Sequence, residues 1–294
     1  MSFATFTNSK KKEIALPDFK GQFIADTHAH LDMLEDPARA LARAALASMG
    51  LVVTVTSIHE KATETCASID SWRQQARVML DEGGYANVAV PDVRIMVGGH
   101  PQEASKMTDE GRALVRSLAQ DKRVVGIGET GLDYFYETSP RVEQRALFVE
   151  ELQLADELDL VACLHIRDAH DDALDILRSM GMPRAGAILH CYNLGPEVVE
   201  GFVELGCMVS FAGPLTFKKA QDVRDAAAVV PHDRLLTETD CPFMAPEPCR
   251  GQTNEPAYTA FTTQVLAQAT GLELEECARI TYTNARRLLR CDAS

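Results

Sequence analysis

Eight short runs rich in β-branched and apolar residues recur along the chain at fairly even intervals. They are FIAD (23–26), LVVTVTS (51–57), RIMVGG (94–99), VVGIGE (124–129), LVACLH (160–165), AILH (187–190), CMVSFA (207–212) and LLTETD (235–240). Each has strand length, and near-continuous apolar character suits a parallel strand buried on both faces. Stretches of helical period lie between them. PARALARAALASMG (37–50) has Pro after Asp36 at its start and Gly50 at its end, the residue types of a helix start and stop. RVEQRALFVEELQLADEL (141–158) has Leu147, Phe148, Glu151, Leu152, Ala155 and Leu158 at helical spacing. Further helices are expected over 172–181, closing on Gly181, over 195–206 and 217–230, and over 257–290 with a break at Gly271. This alternation predicts an α/β fold, a (β/α)8 TIM-type barrel. No G-x-G-x-x-G follows the first strand, which removes the main sign of a dinucleotide-binding open sheet. Residues 1–20 read as a loosely packed N-terminal extension, and 21–294 as a single barrel domain.

Composition adds exclusions. The chain is 46% hydrophobic and 24% charged, an ordinary globular balance. No apolar run approaches the ~20 residues of a membrane span. The lysines at 10–12 are not followed by the apolar stretch of a secretory signal, so a soluble cytoplasmic protein is expected. Eight cysteines without a C-x-x-C pair read as buried free thiols, not as a disulfide frame or zinc knuckle. A net charge of −14 argues against broad wrapping of nucleic acid, which needs phosphate neutralisation along a surface. It leaves room for a phosphate-bearing substrate at a local cationic site. No obligate protein partner is signalled.

The informative polar residues fall at the strand ends. Asp26-Thr27-His28-Ala29-His30 follows the first strand, His100 the third and Glu129 the fourth. His165, His190 and Asp240 end the fifth, sixth and eighth. Any one of these would as readily be a helix cap or a hydrogen-bonded rim residue. Jointly they put His, Asp and Glu on the C-terminal rim, where barrel enzymes carry their chemistry. Six such groups (His28, His30, Glu129, His165, His190, Asp240) match the mixed nitrogen and oxygen shell of one or two divalent ions.

DTHAHLD (26–32), GGHPQEA (98–104), GETGLDYFY (128–136), LHIRDA (164–169), LHCYN (189–193), ETDCPFMAP (238–246) and RGQTNEPAY (250–258) together resemble the signatures of TatD-type metal-dependent deoxyribonucleases. The resemblance implies a TIM-type barrel of the amidohydrolase-like group with two divalent cations. His28, His30 and Asp240 would hold one, His165 and His190 the other, with Glu129 bridging. The chain departs from the family at Gln102, where His is frequent, and at Tyr192-Asn193-Leu194, where Phe-Ser-Gly is frequent.

The expected activity is therefore hydrolysis of a phosphodiester at nucleic-acid ends, as a 3′→5′ deoxyribonuclease acting on single-stranded DNA as substrate rather than as stable partner. Asp240 and Glu129 would be catalytic, with His100 at the phosphate or the leaving oxygen. Arg167 is a candidate phosphate clamp, and Tyr134 with Tyr136 a stacking platform for a base. Asn193 and Arg250 are further candidates for substrate contact. The alternatives are an ester or amide hydrolase of the same group, including an aminoacyl-tRNA deacylase, or a metal-binding protein without catalysis. Ligand types suit zinc or manganese, and magnesium if waters complete the shell.

Overall fold

A computed structural model describes residues 3–59, 61–136 and 138–291. Eight strands form one parallel sheet in sequence order: β1 (Ile24–Ala29), β2 (Met49–Ser57), β3 (Asp92–Gly98), β4 (Val124–Asp133), β5 (Val161–Arg167), β6 (Ala187–Leu189), β7 (Met208–Phe211) and β8 (Leu235–Thr237). Around them lie α1 (Pro37–Leu46), α2 (Ala62–Glu82), α3 (Asp109–Leu118), α4 (Arg141–Leu158), α5 (His170–Met180), α6 (Pro196–Glu204), α7 (Gln221–Val229), α8 (Thr259–Thr270) and α9 (Leu274–Leu288). This is the expected (β/α)8 barrel.

Closure comes from the ends of β1 and β8. Thr237 Oγ1 donates to the Ala25 carbonyl (3.0 Å), Asp240 N–H to the His28 carbonyl and His30 N–H to the Cys241 carbonyl (both 2.8 Å). These bonds lock together the two chain segments that carry His28, His30 and Asp240.

Strand periodicity sorts the apolar residues into two cores. Ala25, Leu51, Val53, Val55, Met96, Cys163, Ile188 and Leu236 share the barrel interior with Ala285 of the last helix and Leu289 just beyond its end. Val52, Val93, Ile95, Val97 and Leu164 pack outward under the helices. Two steps beyond an interior residue, a side chain again faces in. Cys163 thus leads to His165, Ile188 to His190, and Leu236 through Glu238 to Asp240. On β1, a register shift between Asp26 and Ala29 resets the phase. The inward file changes from apolar to polar as it reaches the C-terminal rim.

The α1 N-terminus is capped as expected, with the Asp36 side chain accepting from Arg39 N–H (2.9 Å) and Pro37 in the first turn. Its other end differs. The helix stops at Leu46, and Gly50 lies inside β2, where an added Cβ would stand 2.8 Å from the Tyr282 ring. Gly50 is there for that close approach, not as a cap.

Residues 3–20, expected to be loose, are packed. Phe6 and Phe19 are buried, and a bridge pairs Thr7 with Glu13. The Arg43 guanidinium donates to the Thr5 carbonyl (2.9 Å), sits 4.0 Å from the Phe6 ring centroid and pairs with Glu255. Two buried phenylalanines and one buried arginine supply the burial that a loose segment lacks. Among the described residues, no helix is long and apolar enough to cross a membrane.

Candidate metal centre

Glu129 stands at the centre of the rim, buried, with imidazoles on both sides. Its Oε2 lies 3.4 Å from His28 Nε2 and 3.7 Å from His30 Nε2. Its Oε1 lies 2.6 Å from His165 Nδ1 and 2.9 Å from His190 Nε2. Asp240 Oδ1 is 3.6 Å from His30 Nε2 and 4.0 Å from His28 Nε2. All six predicted donors therefore meet, and the two carboxylate oxygens of Glu129 divide the four histidines into pairs. The backbone at Asp240 has φ +57°, a left-handed conformation uncommon away from glycine.

The outer nitrogen of each imidazole is held separately, and this fixes which nitrogen faces inward. His30 Nδ1 lies 3.0 Å from the Val55 carbonyl, which can only accept, so Nδ1 carries the proton and Nε2 turns a lone pair to the centre. His190 Nδ1 meets Glu238 Oε1 at 3.1 Å, and His165 Nε2 meets Asp133 Oδ2 at 3.2 Å. Asp133 is itself held by Gln102 Nε2 at 2.6 Å, which gives this departure from the family pattern a definite job. His28 Nδ1 rests 3.3 Å from Cys163 Sγ. Lone pairs and carboxylate oxygens facing one another at these distances repel unless a positive charge lies between them. The donor set fits divalent cations: imidazole and carboxylate, mostly buried, with oriented outer partners. Three trios have their donor atoms within 4.8 Å of one another: His28/His30/Asp240, His28/Glu129/His190 and His100/Glu129/His165.

His100 differs from the other four. Its Nδ1 accepts from Gln102 N–H (3.2 Å), so in the neutral ring the proton sits on Nε2, 3.6 Å from Glu129 Oε1. This suits a donor rather than a ligand.

Without metal, protons supply the missing positive charge. Burial alone pulls the His30 imidazole down, but the hydrogen bond to Asp240 and the charges of Glu129 and Asp240 carry it up to about 9 from 6.5. Glu129 is raised by burial, yet its histidine neighbours outweigh this and hold it well below the usual carboxylate range. Burial pushes the Asp26 and Glu151 carboxyls up to about 8. All three raised groups bind more protons folded than unfolded, so stability falls as pH rises. The His30 contribution is complete below 6.5 and lost through about 9, while the carboxyls grow costly from 3.8 or 4.5 through about 8. Metal-free protein should therefore melt at a lower temperature at pH 9 than at pH 6.5, and saturating divalent metal should reduce that drop. Thermal scans at both pH values check this; a flat or rising metal-free profile contradicts it.

The centre opens into a cleft of about 630 Å3 lined in part by Arg167, Tyr136, Asn193, Lys106, Phe243 and Met244. Arg167 lies 3.9 Å from the Phe135 ring centroid and 4.8 Å from that of Tyr136, flanked by two exposed aromatics. Tyr134 does not line the cleft. Its hydroxyl donates to Asp172 Oδ2 (2.7 Å) and its ring lies under Arg141 at 4.2 Å, so Tyr136 alone of the two expected tyrosines remains at the mouth. Asp133 and Glu238 escaped the sequence reading, although each lies within a quoted motif at a strand end.

A parallel barrel whose rim gathers four imidazoles and two carboxylates around one cleft has the layout of a metal-dependent hydrolase. Residues 25–290 match the family model of TatD related DNases, and the chain belongs to this family. The uncharacterized metal-dependent hydrolase YabD of Bacillus subtilis is 35% identical over 268 residues, 90% of this chain and 98% of that protein. The 3′-5′ ssDNA/RNA exonuclease TatD of Erwinia billingiae is 35% identical over 201 residues, 67% of this chain and 77% of that one. The crystal structure of YJJV, a TatD homologue from Escherichia coli, superposes with a TM-score of 0.79 at 28% identity, covering 90% of this chain and 97% of that one. The chain is a metal-dependent hydrolase of the TatD family.

Proposed function

We propose that this hydrolase cleaves phosphodiester bonds at the 3′ ends of single-stranded nucleic acid, using two divalent ions. One ion would be held by His28, His30 and Asp240, the other by His165 and His190, with Glu129 shared. The observation that carries this reading is the division of the histidines by the two oxygens of one carboxylate, 3.4 and 3.7 Å on one side, 2.6 and 2.9 Å on the other. Two bound divalent ions supply a water acidified to near neutrality and positive charge for the phosphoryl oxygens.

The chain's own residues do the rest. Asp240, on the cleft wall, orients the attacking water and takes its proton. His100, with its proton on Nε2, donates to a phosphate oxygen or to the leaving oxygen. Arg167 offers a fork of donors to a phosphate, held in place by the rings beside it. Tyr136 and Phe135, exposed at the mouth, present faces on which a base can stack. The Erwinia relative, a 3′-5′ ssDNA/RNA exonuclease by name, supports this choice of substrate.

The test is one preparation assayed with Mg2+, Mn2+ and Zn2+ on 5′-labelled single-stranded DNA, an aminoacyl-tRNA and an aryl ester. Stepwise shortening of the DNA from its 3′ end is expected. Turnover of the ester or the aminoacyl-tRNA with the DNA left intact would overturn the nuclease reading and move the reaction to another bond.

A further inference from the structure

The chain carries a net charge of −14, yet one ridge on the catalytic rim is strongly basic. It is built from three segments far apart in sequence. The first is the N-terminal turn 7–13, whose Lys10, Lys11 and Lys12 are all exposed. The second is 216–219, with exposed Lys218 and Lys219, and the third is 246–253, with exposed Arg250. Together they hold six cations against two carboxylates, Glu13 and Glu247.

Specific contacts make these segments one surface. Gln252 Nε2 donates to the Thr7 carbonyl (2.9 Å), fixing the N-terminal turn to the loop after β8. The Arg250 guanidinium lies 4.0 Å from the Phe217 ring centroid, bringing in the loop after β7. Glu247 N–H donates to Thr216 Oγ1 (2.9 Å). Gly213 lies directly against the Met244 carbonyl, where no Cβ would fit, so the loop after β7 also abuts the cleft wall. The ridge is therefore continuous with Phe243 and Met244, both exposed and both lining the cleft.

The cations on it are uncommitted. Many arginines elsewhere are paired with carboxylates, as Arg43 with Glu255, Arg112 with Glu150, Arg116 with Glu157 and Arg123 with Asp121. Among the described residues, none of Lys10, Lys11, Lys12, Lys218, Lys219 and Arg250 has a carboxylate oxygen within 4.0 Å. Such a strip, beginning at an apolar cleft wall, combines the two elements of single-strand recognition, a surface on which a base rests and a line of positive charge along the backbone. The acidic remainder of the surface repels a polyanion laid anywhere else.

We propose that this ridge is a binding track for the backbone of a single-stranded nucleic acid, running from the Phe243–Met244 wall of the cleft past Arg250 to the N-terminal lysines. The track extends the substrate reading above and rests on it for the strand end entering the cleft.

The test uses metal-loaded full-length protein and the variant K10Q/K11Q/K12Q/K218Q/K219Q. Binding of a phosphorothioate single-stranded 20-mer is followed by fluorescence anisotropy across a salt series. Cleavage is assayed separately on an ordinary 20-mer and on a dinucleotide. The variant should bind the 20-mer at least ~10-fold more weakly at low salt, and the slope of log affinity against log salt should shrink by about 3. Dinucleotide turnover and Tm should stay within error. Equal 20-mer affinity and an unchanged slope in the variant would overturn the track, whatever is cleaved. Binding of anionic phospholipid vesicles, without binding of the 20-mer, would also overturn it. Lysine-dependent binding of a 20-mer that the enzyme leaves uncut would uphold the track and sink the nuclease reading.

Discussion

Replacing Glu129 by Ala should abolish metal-dependent hydrolysis while the barrel stays folded. Glu129 lies within 3.7 Å of five imidazole nitrogens, and its two oxygens face different pairs of the four proposed ligands, with His100 beside Oε1. Removal takes away a donor to each proposed ion and leaves the histidines without their central negative charge. Partners that merely orient a ligand typically cost ~10–100-fold in metal affinity when lost. A shared ligand should cost more, so activity should fall by more than ~100-fold. The histidines hold Glu129 charged against the cost of burial, so its removal should lower Tm of the metal-free protein while the barrel still melts cooperatively. Activity on the best substrate, bound metal and a thermal melt together check this. Retained activity in a folded variant would remove Glu129 from the mechanism.

Gly128→Ala should lower stability by about 3 kcal/mol or more and impair metal uptake, without touching any donor. Gly128 has φ +146°, and an added Cβ would lie 2.7 Å from the Cys163 carbonyl oxygen and 2.8 Å from Cys163 Cβ. Both are parts of a packed strand that cannot swing aside. On the other side, Gly98 approaches so closely that its own Cβ would stand 2.8 Å from Gly128 Cα. Relief can come only by moving β4 against β3 or β5, and Glu129 moves with it. Gly84→Ala is the control: φ is +85° there, but nothing lies within 4 Å of the added atom, so only the backbone cost of roughly 1–2 kcal/mol applies. Chemical denaturation of the two variants separates them, and equal losses would discount the clash.

Much of this was legible in the sequence because the barrel enforces a simple code. Buried parallel strands are apolar along their length, so a polar residue at a strand end stands out. That is how His165, His190 and Asp240 were found. Two helices were not anticipated for the converse reason. α3 buries Val115 alone, and α2 is long but sparsely apolar, burying small or isolated residues such as Thr65, Cys66, Ile69, Ala76 and Leu80. The N-terminal turn was misread because its anchors, Phe6 and Arg43, are partners only across the fold. Tyr134 and Tyr136 are indistinguishable by spacing, and a hydroxyl bond to Asp172 on α5 separates them. Likewise, no pattern indicates which nitrogen of a histidine faces inward. That depends on Val55, Asp133 and Glu238, whose approach is a property of the closed barrel.

The count of divalent ions per chain tests the central claim most directly. Metal-free protein, saturated with Mn2+ or Zn2+ and stripped of excess, should hold two ions per chain by elemental analysis. Anomalous diffraction should place them on opposite sides of Glu129, one among His28, His30 and Asp240 and the other beside His165 and His190. A single ion per chain, or none, would contradict the two-metal account.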